Sequence, residues 1–385
     1  MKILHLATDD KFLDHALPVF EAVYPNSNEA IVFSSSLKLR YVKSTVSKII
    51  KPRKSYDRSN ASMIRNFFES CDVVVFHSFS GGFSGLVRLI PKETPTIWLG
   101  WGYDYYDLID NLSLLLPKTK ELKSVLQPIT MSMKLRQTVK KLLEKTGIIE
   151  NKIALIKRFA VFAPVLPSEY QMIKAAVKME PFPRYVRWNY GTIEDNLVKG
   201  FEKETVSGND ILVGNSASFT CNHVESFDVL SQISLNNRKV ISPLSYGEVP
   251  YREEIEKLGR NYFGDNFFPL RDFIPVEEYI AQIKSCGFVI MNHVRQQAVG
   301  NIIIMLYLGA RVFLREENPT YRFLADQGVV LSTVQELIRE PSLLSSELSE
   351  REKLNNRDFV SQYWGREQAL INTKSLLSST VNIKK

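Results

Sequence analysis

Two groups of residues in this 385-residue chain have the types and spacing to do chemistry, one group in each half. In the second half, Gly214-Asn215-Ser216 directly follows an apolar run. A glycine there lets the backbone approach a phosphate, and the N–H groups opening the next helix favour an anion. Pro243, Ser245 and Tyr246 lie in a later loop that could meet a base or a sugar. Asn292-His-Val-Arg295-Gln296-Gln297, with Gly300 and Asn301, is the densest polar run of this half. Arg295 offers a planar fork of donors to a diphosphate. Glu317 and Asn318 come just before Pro319, where a carboxylate could accept from a sugar hydroxyl or simply cap a helix. None of these is a Walker loop or a GxGxxG fingerprint, and each alone also reads as an ordinary turn.

In the first half the candidates are Asp10 (beside Asp9), His77 and Asp104, each just past a predicted strand. A carboxylate or imidazole in such a place can act as general base toward a hydroxyl. Each also has a plain structural reading, as a helix cap or a satisfied core histidine. Trp98, Trp101, Tyr103, Tyr105 and Tyr106 surround Asp104 and suit a sugar- or lipid-facing surface.

The elements that must carry these residues follow from hydrophobic period. Strands are expected at Ile3–Ala7, Ala30–Phe33, Asp72–Phe76, Thr96–Leu99 and Ala160–Leu166, with helices over 12–24, Met63–Ser70 and Leu86–Ile90. Ser168 is expected to cap the helix that follows the fifth strand. A break at Glu180-Pro-Phe-Pro183 precedes a second series, with strands at Asp210–Val213, Lys239–Ser242, Phe267–Leu270, Gly287–Met291, Arg311–Leu314 and Val329–Leu331. A closing helix is expected from about Asn356 to Leu377. Alternating strands and helices imply parallel sheets, so the fold class is α/β with two doubly wound domains. Their expected bounds are 1–185 and 186–355, with 356–385 as the closing segment.

Charge is unevenly spread. The chain has 49 Lys+Arg against 42 Asp+Glu, but residues 1–185 hold 27 against 17, so only the first half is basic. The excess concentrates in 112–158, where Lys134, Arg136, Lys140 and Lys141 alternate with apolar positions at helical spacing over Met131–Lys145. That is a basic amphipathic helix, suited to an anionic membrane surface. Cys71, Cys221 and Cys286 form no zinc or disulfide pattern, and no run is long and apolar enough to span a bilayer. A reducing, cytoplasmic setting is expected.

Taken in order, Ile211-Leu-Val-Gly-Asn-Ser216, Arg295-Gln-Gln with Gly300, and Arg315-Glu-Glu-Asn-Pro319 resemble the bacterial TDP-N-acetylfucosamine:lipid II N-acetylfucosaminyltransferases. The Trp98…Trp101-Gly102-Tyr103-Asp104 loop adds to the resemblance, although Ala217 and Tyr103 stand where that family carries smaller residues. The resemblance implies a GT-B glycosyltransferase, with the nucleotide sugar on the second Rossmann-like domain and the acceptor on the first. It implies inverting transfer of an (acetamido-)dideoxyhexose such as N-acetylfucosamine from a TDP-sugar to a polyprenyl-diphosphate-linked saccharide, as in O-antigen or enterobacterial common antigen assembly. No metal or other cofactor is implied, and the place of work is the cytoplasmic face of the inner membrane. Asp104 is then the preferred base, with Asp10 and His77 behind it. Arg295 and the helix start near Ser216 would stabilise the departing diphosphate. Trp101, Tyr103 and the basic helix would face acceptor and membrane. Two other readings share features of the chain. A GT-B-like epimerase would use the same nucleotide site. A nucleic-acid-binding protein would suit a pI near 9.0, but no RNP, helix-turn-helix or zinc pattern is present.

Overall fold

The computed structural model describes residues 1–36, 38–44, 48–50, 58–80, 83–109, 113–145 and 151–381. By contact the chain divides into two compact units, one of Met1–Asp110, Gln137–Thr192 and Arg366–Lys385, the other of Asn111–Arg136 and Ile193–Gly365.

Among the described residues the first unit holds seven parallel strands: β1 (Ile3–Thr8), β2 (Asn28–Phe33), β3 (Lys48–Ile50), β4 (Val73–His77), β5 (Thr96–Leu99), β6 (Val161–Ala163) and β7 (Arg184–Tyr185). Their order is β3-β2-β1-β4-β5-β6-β7. The central strands are continuous apolar runs because a parallel sheet is covered on both faces. Ile3, Val73, Val75, Ile97, Leu99 and Val161 sink into one core. Leu376 and Leu377 join that core from the helix Arg366–Val381, and Trp188 donates its indole N–H to Thr373 Oγ1 at 2.8 Å.

The second unit holds β8 (Ile211–Val213), β9 (Val240–Pro243), β10 (Phe267–Leu270), β11 (Phe288–Met291), β12 (Arg311–Leu314) and β13 (Ser332–Thr333). All pairs are parallel, in the order β10-β9-β8-β11-β12-β13. Residues 113–126 belong to this unit. Leu116 N–H is accepted by Asn222 Oδ1 at 2.9 Å, and Thr119 bonds Glu225 through both its N–H and its hydroxyl.

The α/β class and nearly every expected element are present; the helix expected at Leu86–Ile90 forms at Ser84–Val87, the strand expected at Ala160–Leu166 shortens to Val161–Ala163, and three further shifts have a visible cause. The sixth strand of the second unit forms at Ser332–Thr333 rather than 329–331, because the N–H and C=O of Val330 are taken by the Asn356 amide at 2.7 and 2.8 Å. The closing helix is two helices, Glu350–Tyr363 and Arg366–Val381, separated at Trp364-Gly365. The helix Pro167–Val177 is capped by Glu169, which accepts from Leu166 N–H at 2.9 Å, and not by Ser168.

The basic helix forms at Met131–Lys145 as expected. Its apolar positions are uncovered: Met131, Leu135, Val139 and Leu142 are all exposed, as is Arg136; Val125 and Ile129, before the helix, are exposed too. The side chains of Lys134, Lys140 and Lys141 lie outside the described residues. No helix among the described residues is long and apolar enough to cross a membrane.

Candidate functional site

In a doubly wound sheet the binding crevice opens at the carboxyl ends of the two strands where the order reverses. In the second unit these are β8 and β11, and the turns leaving them are Gly214-Asn215-Ser216 and Asn292 through Gln297. Three of the expected loops converge there. Asn215 Nδ2 donates to the Tyr246 hydroxyl at 2.7 Å, while its Oδ1 accepts from Gln297 Nε2 at 2.9 Å. Thr220 Oγ1 donates to Gln297 Oε1 at 2.7 Å. Tyr246 is half exposed and Ser245 partly so, leaving both open to a ligand, whereas Pro243 ends β9 in the interior.

The helix Val299–Leu308 starts straight after the second turn, with Gly300 and Asn301 in its first residues. Its N-cap, Ala298, is left-handed and has no side-chain oxygen to offer. The leading N–H groups of this buried apolar helix therefore stand at the crevice end with their partial positive charge. Arg295 lies beside them and donates to Gln296 C=O at 2.7 Å.

Other expected contacts are already used inside the protein. The Glu317 carboxylate is gripped by Arg315 through Nε and Nη2 at 3.2 and 2.9 Å and also accepts from Gln335, so it is a partner of arginine rather than a free acceptor. Asn318 is wholly buried. Its Oδ1 caps the helix Pro319–Asp326 at Thr320 N–H, and its Nδ2 bonds His293 C=O at 3.0 Å. Ser216 is also buried, with Oγ 3.5 Å from Cys221 Sγ.

Two buried imidazoles underlie these turns. His223 begins the helix His223–Ser231, and burial lowers its pKa to about 3. His293 follows Asn292, and burial, then the charges of Arg295 and His223, hold its pKa well below the usual value. Asn222, just before His223, ties the start of that helix to the second turn by donating from Nδ2 to Asn292 C=O at 3.0 Å. Gly214 sits directly over His223 with φ +70°, and a Cβ added there would lie 2.4 Å from His223 Nε2. Gly214→Ala is therefore expected to destabilise the second unit by about 2–3 kcal/mol, combining left-handed strain with the clash. Gly328→Ala (φ +79°, nothing within 4 Å) should show only the strain, roughly 1 kcal/mol. Urea melts of the two variants check this, and equal losses would remove the contact with His223 from the account.

In the first unit the reversal lies between β1 and β4. Asp9, at the end of β1, accepts from the N–H groups of Arg40, Tyr41 and Val42 at 2.7–3.1 Å and fixes that loop. Asp10 is only partly buried and accepts one bond, from Phe12 N–H at 3.1 Å. Burial raises its pKa, with the Phe12 N–H and Lys11 opposing. A raised, accessible carboxylate suits a general base.

Asp104, the expected base, is placed otherwise. It is 2% exposed, and its oxygens accept from Phe79 N–H, Trp98 Nε1–H and Trp101 N–H, each at 2.7 Å. It strings the aromatic loop together and has no open face toward a substrate. His77 is fully buried with both ring nitrogens engaged, to His5 at 2.9 Å and to the Tyr190 hydroxyl at 2.8 Å. Trp101 and Tyr103 follow β5 on the loop that Asp104 holds. The Trp101 ring packs against Phe12 and Tyr190, and the half-exposed Tyr103 donates to Ser78 Oγ at 3.1 Å.

Residues 190–353 match the family described as 4-alpha-L-fucosyltransferase, glycosyl transferase group 56, and that span carries both turns of the second crevice. The match agrees with the resemblance seen in the sequence. This chain is a glycosyltransferase.

Its fold is GT-B, shared with solved structures of low identity. HepE of Anabaena in complex with UDP is similar at 13% identity, covering 98% of this chain and all of that one, with a TM-score of 0.63. The UDP-forming trehalose-phosphate synthase of Burkholderia xenovorans is similar at 10% identity over the whole of both chains, with a TM-score of 0.64. The lipopolysaccharide outer core galactosyltransferase WaaB is similar at 10%, covering 98% of this chain and 99% of that one, with a TM-score of 0.62.

Several residues of this glycosyltransferase's crevices were not singled out from sequence: His5 and Tyr190 in the first, Asn222 and His223 in the second. Asn222 alone carries a local signal, an asparagine directly before the helix His223–Ser231. The others matter through partners distant in the chain, which no local pattern reveals.

Proposed function

We propose that this glycosyltransferase moves an (acetamido-)dideoxyhexose such as N-acetylfucosamine from a TDP-sugar onto a polyprenyl-diphosphate-linked saccharide. The observation that carries the donor half is the crevice between β8 and β11, where the bare start of the helix Val299–Leu308 meets Arg295 and the Asn215–Tyr246–Gln297 cluster. Helix N–H groups and a guanidinium are suited to a diphosphate, and Tyr246 to a base or deoxyribose. The family description supports a fucose-like sugar, and HepE, which holds UDP in its crystal, supports a nucleotide-sugar donor.

The acceptor half falls to the first unit. Asp10 takes the proton from the attacking hydroxyl while the glycosidic bond to the diphosphate breaks, in one inverting displacement. The N–H groups and Arg295 receive the negative charge that leaves, so the reaction is proposed to need no metal. The exposed apolar stripe of Met131–Lys145 with its basic flanks supports docking on anionic lipid, where charge adds to buried apolar area. On this reading the enzyme works peripherally, at the cytoplasmic face of the inner membrane.

One assay series tests the reading. Thermal shifts with TDP, UDP, GDP and CMP should rise with TDP above the others, because a ligand of the native state stabilises it by mass action. Transfer from TDP-sugars to a lipid-linked saccharide in anionic vesicles should proceed in EDTA, and Asp10→Asn should lower kcat at least a hundredfold with TDP affinity unchanged. A shift with UDP alone rejects the donor. Sugar conversion without an acceptor favours an epimerase.

A further inference from the structure

Behind the first crevice runs a chain of four hydrogen bonds whose direction the partners dictate. Asn28 Nδ2 donates to Glu21 Oε2 at 2.7 Å and to Tyr24 C=O at 2.9 Å, two groups that only accept. The amide orientation is thereby fixed, and Oδ1 faces His5 Nε2 at 3.2 Å. An amide oxygen accepts, so His5 carries its proton on Nε2. Burial lowers the His5 pKa to about 4, so the ring is neutral and its Nδ1 is bare. His5 Nδ1 lies 2.9 Å from His77 Nε2, which must then supply the proton. His77 is neutral for the same cause, which leaves its Nδ1 bare toward the Tyr190 hydroxyl at 2.8 Å. The proton in that last bond belongs to Tyr190.

A phenol has one proton. With it committed inward to His77, the Tyr190 oxygen can only accept from any other partner. Tyr190 is partly exposed, packs on Phe12 beside Asp10, and stands edge-on to Trp101 with ring centroids 5.6 Å apart, an indole whose N–H is a donor to the phenol oxygen. We propose that Tyr190 is a specificity-determining contact that accepts a hydrogen bond from a hydroxyl of the acceptor saccharide, one other than the hydroxyl that reacts. Asn28, His5 and His77 are its positioning residues. They make the site selective for a hydroxyl over an ether or carbonyl, because such an oxygen would meet lone pairs only. The inference rests on the first crevice being the acceptor site.

Two measurements test it. In the full chain labelled with ¹⁵N-histidine, long-range proton–nitrogen spectra, assigned by His5→Gln and His77→Gln, should show His5 and His77 both protonated at Nε2. A His77 protonated at Nδ1 reverses the polarity and overturns the proposal, with no need for turnover. In transfer assays, Tyr190→Phe should raise the acceptor KM about tenfold while TDP affinity holds. In a set of acceptors each methylated at one non-reacting hydroxyl, one position should penalise the native enzyme about tenfold and the Phe variant not at all. Equal penalties in both proteins at every position overturn the proposal. A native enzyme that transfers to no saccharide defeats the acceptor reading itself, and the contact with it, while the tautomers stand.

Discussion

Lowering the pH from 7.5 to 5.5 is expected to cost this protein roughly 5 kcal/mol of stability. Four histidines, His5, His77, His223 and His293, are wholly buried, and burial depresses the pKa of each, to about 4 for His5 and about 3 for His223; the partly buried His15 is lowered to about 4 by the same cause and adds to the loss. In the unfolded chain the same groups titrate near 6.5. Between the two values the unfolded state binds more protons, so stability falls as pH falls. It is intact above about pH 6.5 and lost progressively below it. Each group costs rather more than about 1 kcal/mol per pH unit, and total stabilities run only to about 5–15 kcal/mol. Two of the four sit in each unit, so both should weaken. Urea unfolding at pH 7.5, 6.5 and 5.5 gives the answer in the midpoints. Midpoints independent of pH would mean that these imidazoles are not buried neutral.

Asp104→Asn is expected to destabilise the first unit by about 3 kcal/mol, because hydrogen bonds to a charged acceptor contribute roughly 1.5–3 kcal/mol each. The amide has one oxygen where the carboxylate has two. Either the Phe79 and Trp98 donors or the Trp101 donor must then face an NH₂ group. A melting temperature lower by roughly 6–12 °C follows for a unit of this size. Below the melt, the residual transfer should scale with the folded fraction. An unchanged melting temperature with abolished turnover would return Asp104 to the role of base. The contrast with Asp10→Asn, expected to spare stability and remove kcat, separates the two carboxylates in one pair of experiments.

The fold was legible because parallel strands buried on both faces are apolar throughout. Phe267–Leu270 and Arg311–Leu314 fall where the runs place them. Where a side chain outcompetes the sheet for backbone groups, the pattern misleads. Val329–Leu331 is apolar enough for a strand, yet Asn356 takes both polar groups of Val330. The donor loops were legible for a related reason, since polar residues straight after a buried strand lie at the carboxyl edge by construction. What each polar residue does there was not. A carboxylate such as Asp104 or Glu317 looks the same in sequence whether it meets solvent, a substrate or three internal donors. Those donors come from residues up to 25 positions away, such as Phe79 for Asp104.

The helix Arg366–Val381 has a bearing on how the molecule is made. Its Leu376 and Leu377 complete the core around β1, β4 and β5, although the whole of the second sheet is translated between those strands and the helix. The β8–β13 layer can close while still near the ribosome. The earlier layer must wait with its apolar floor unfinished, so the half that is synthesised first is the half that is completed last.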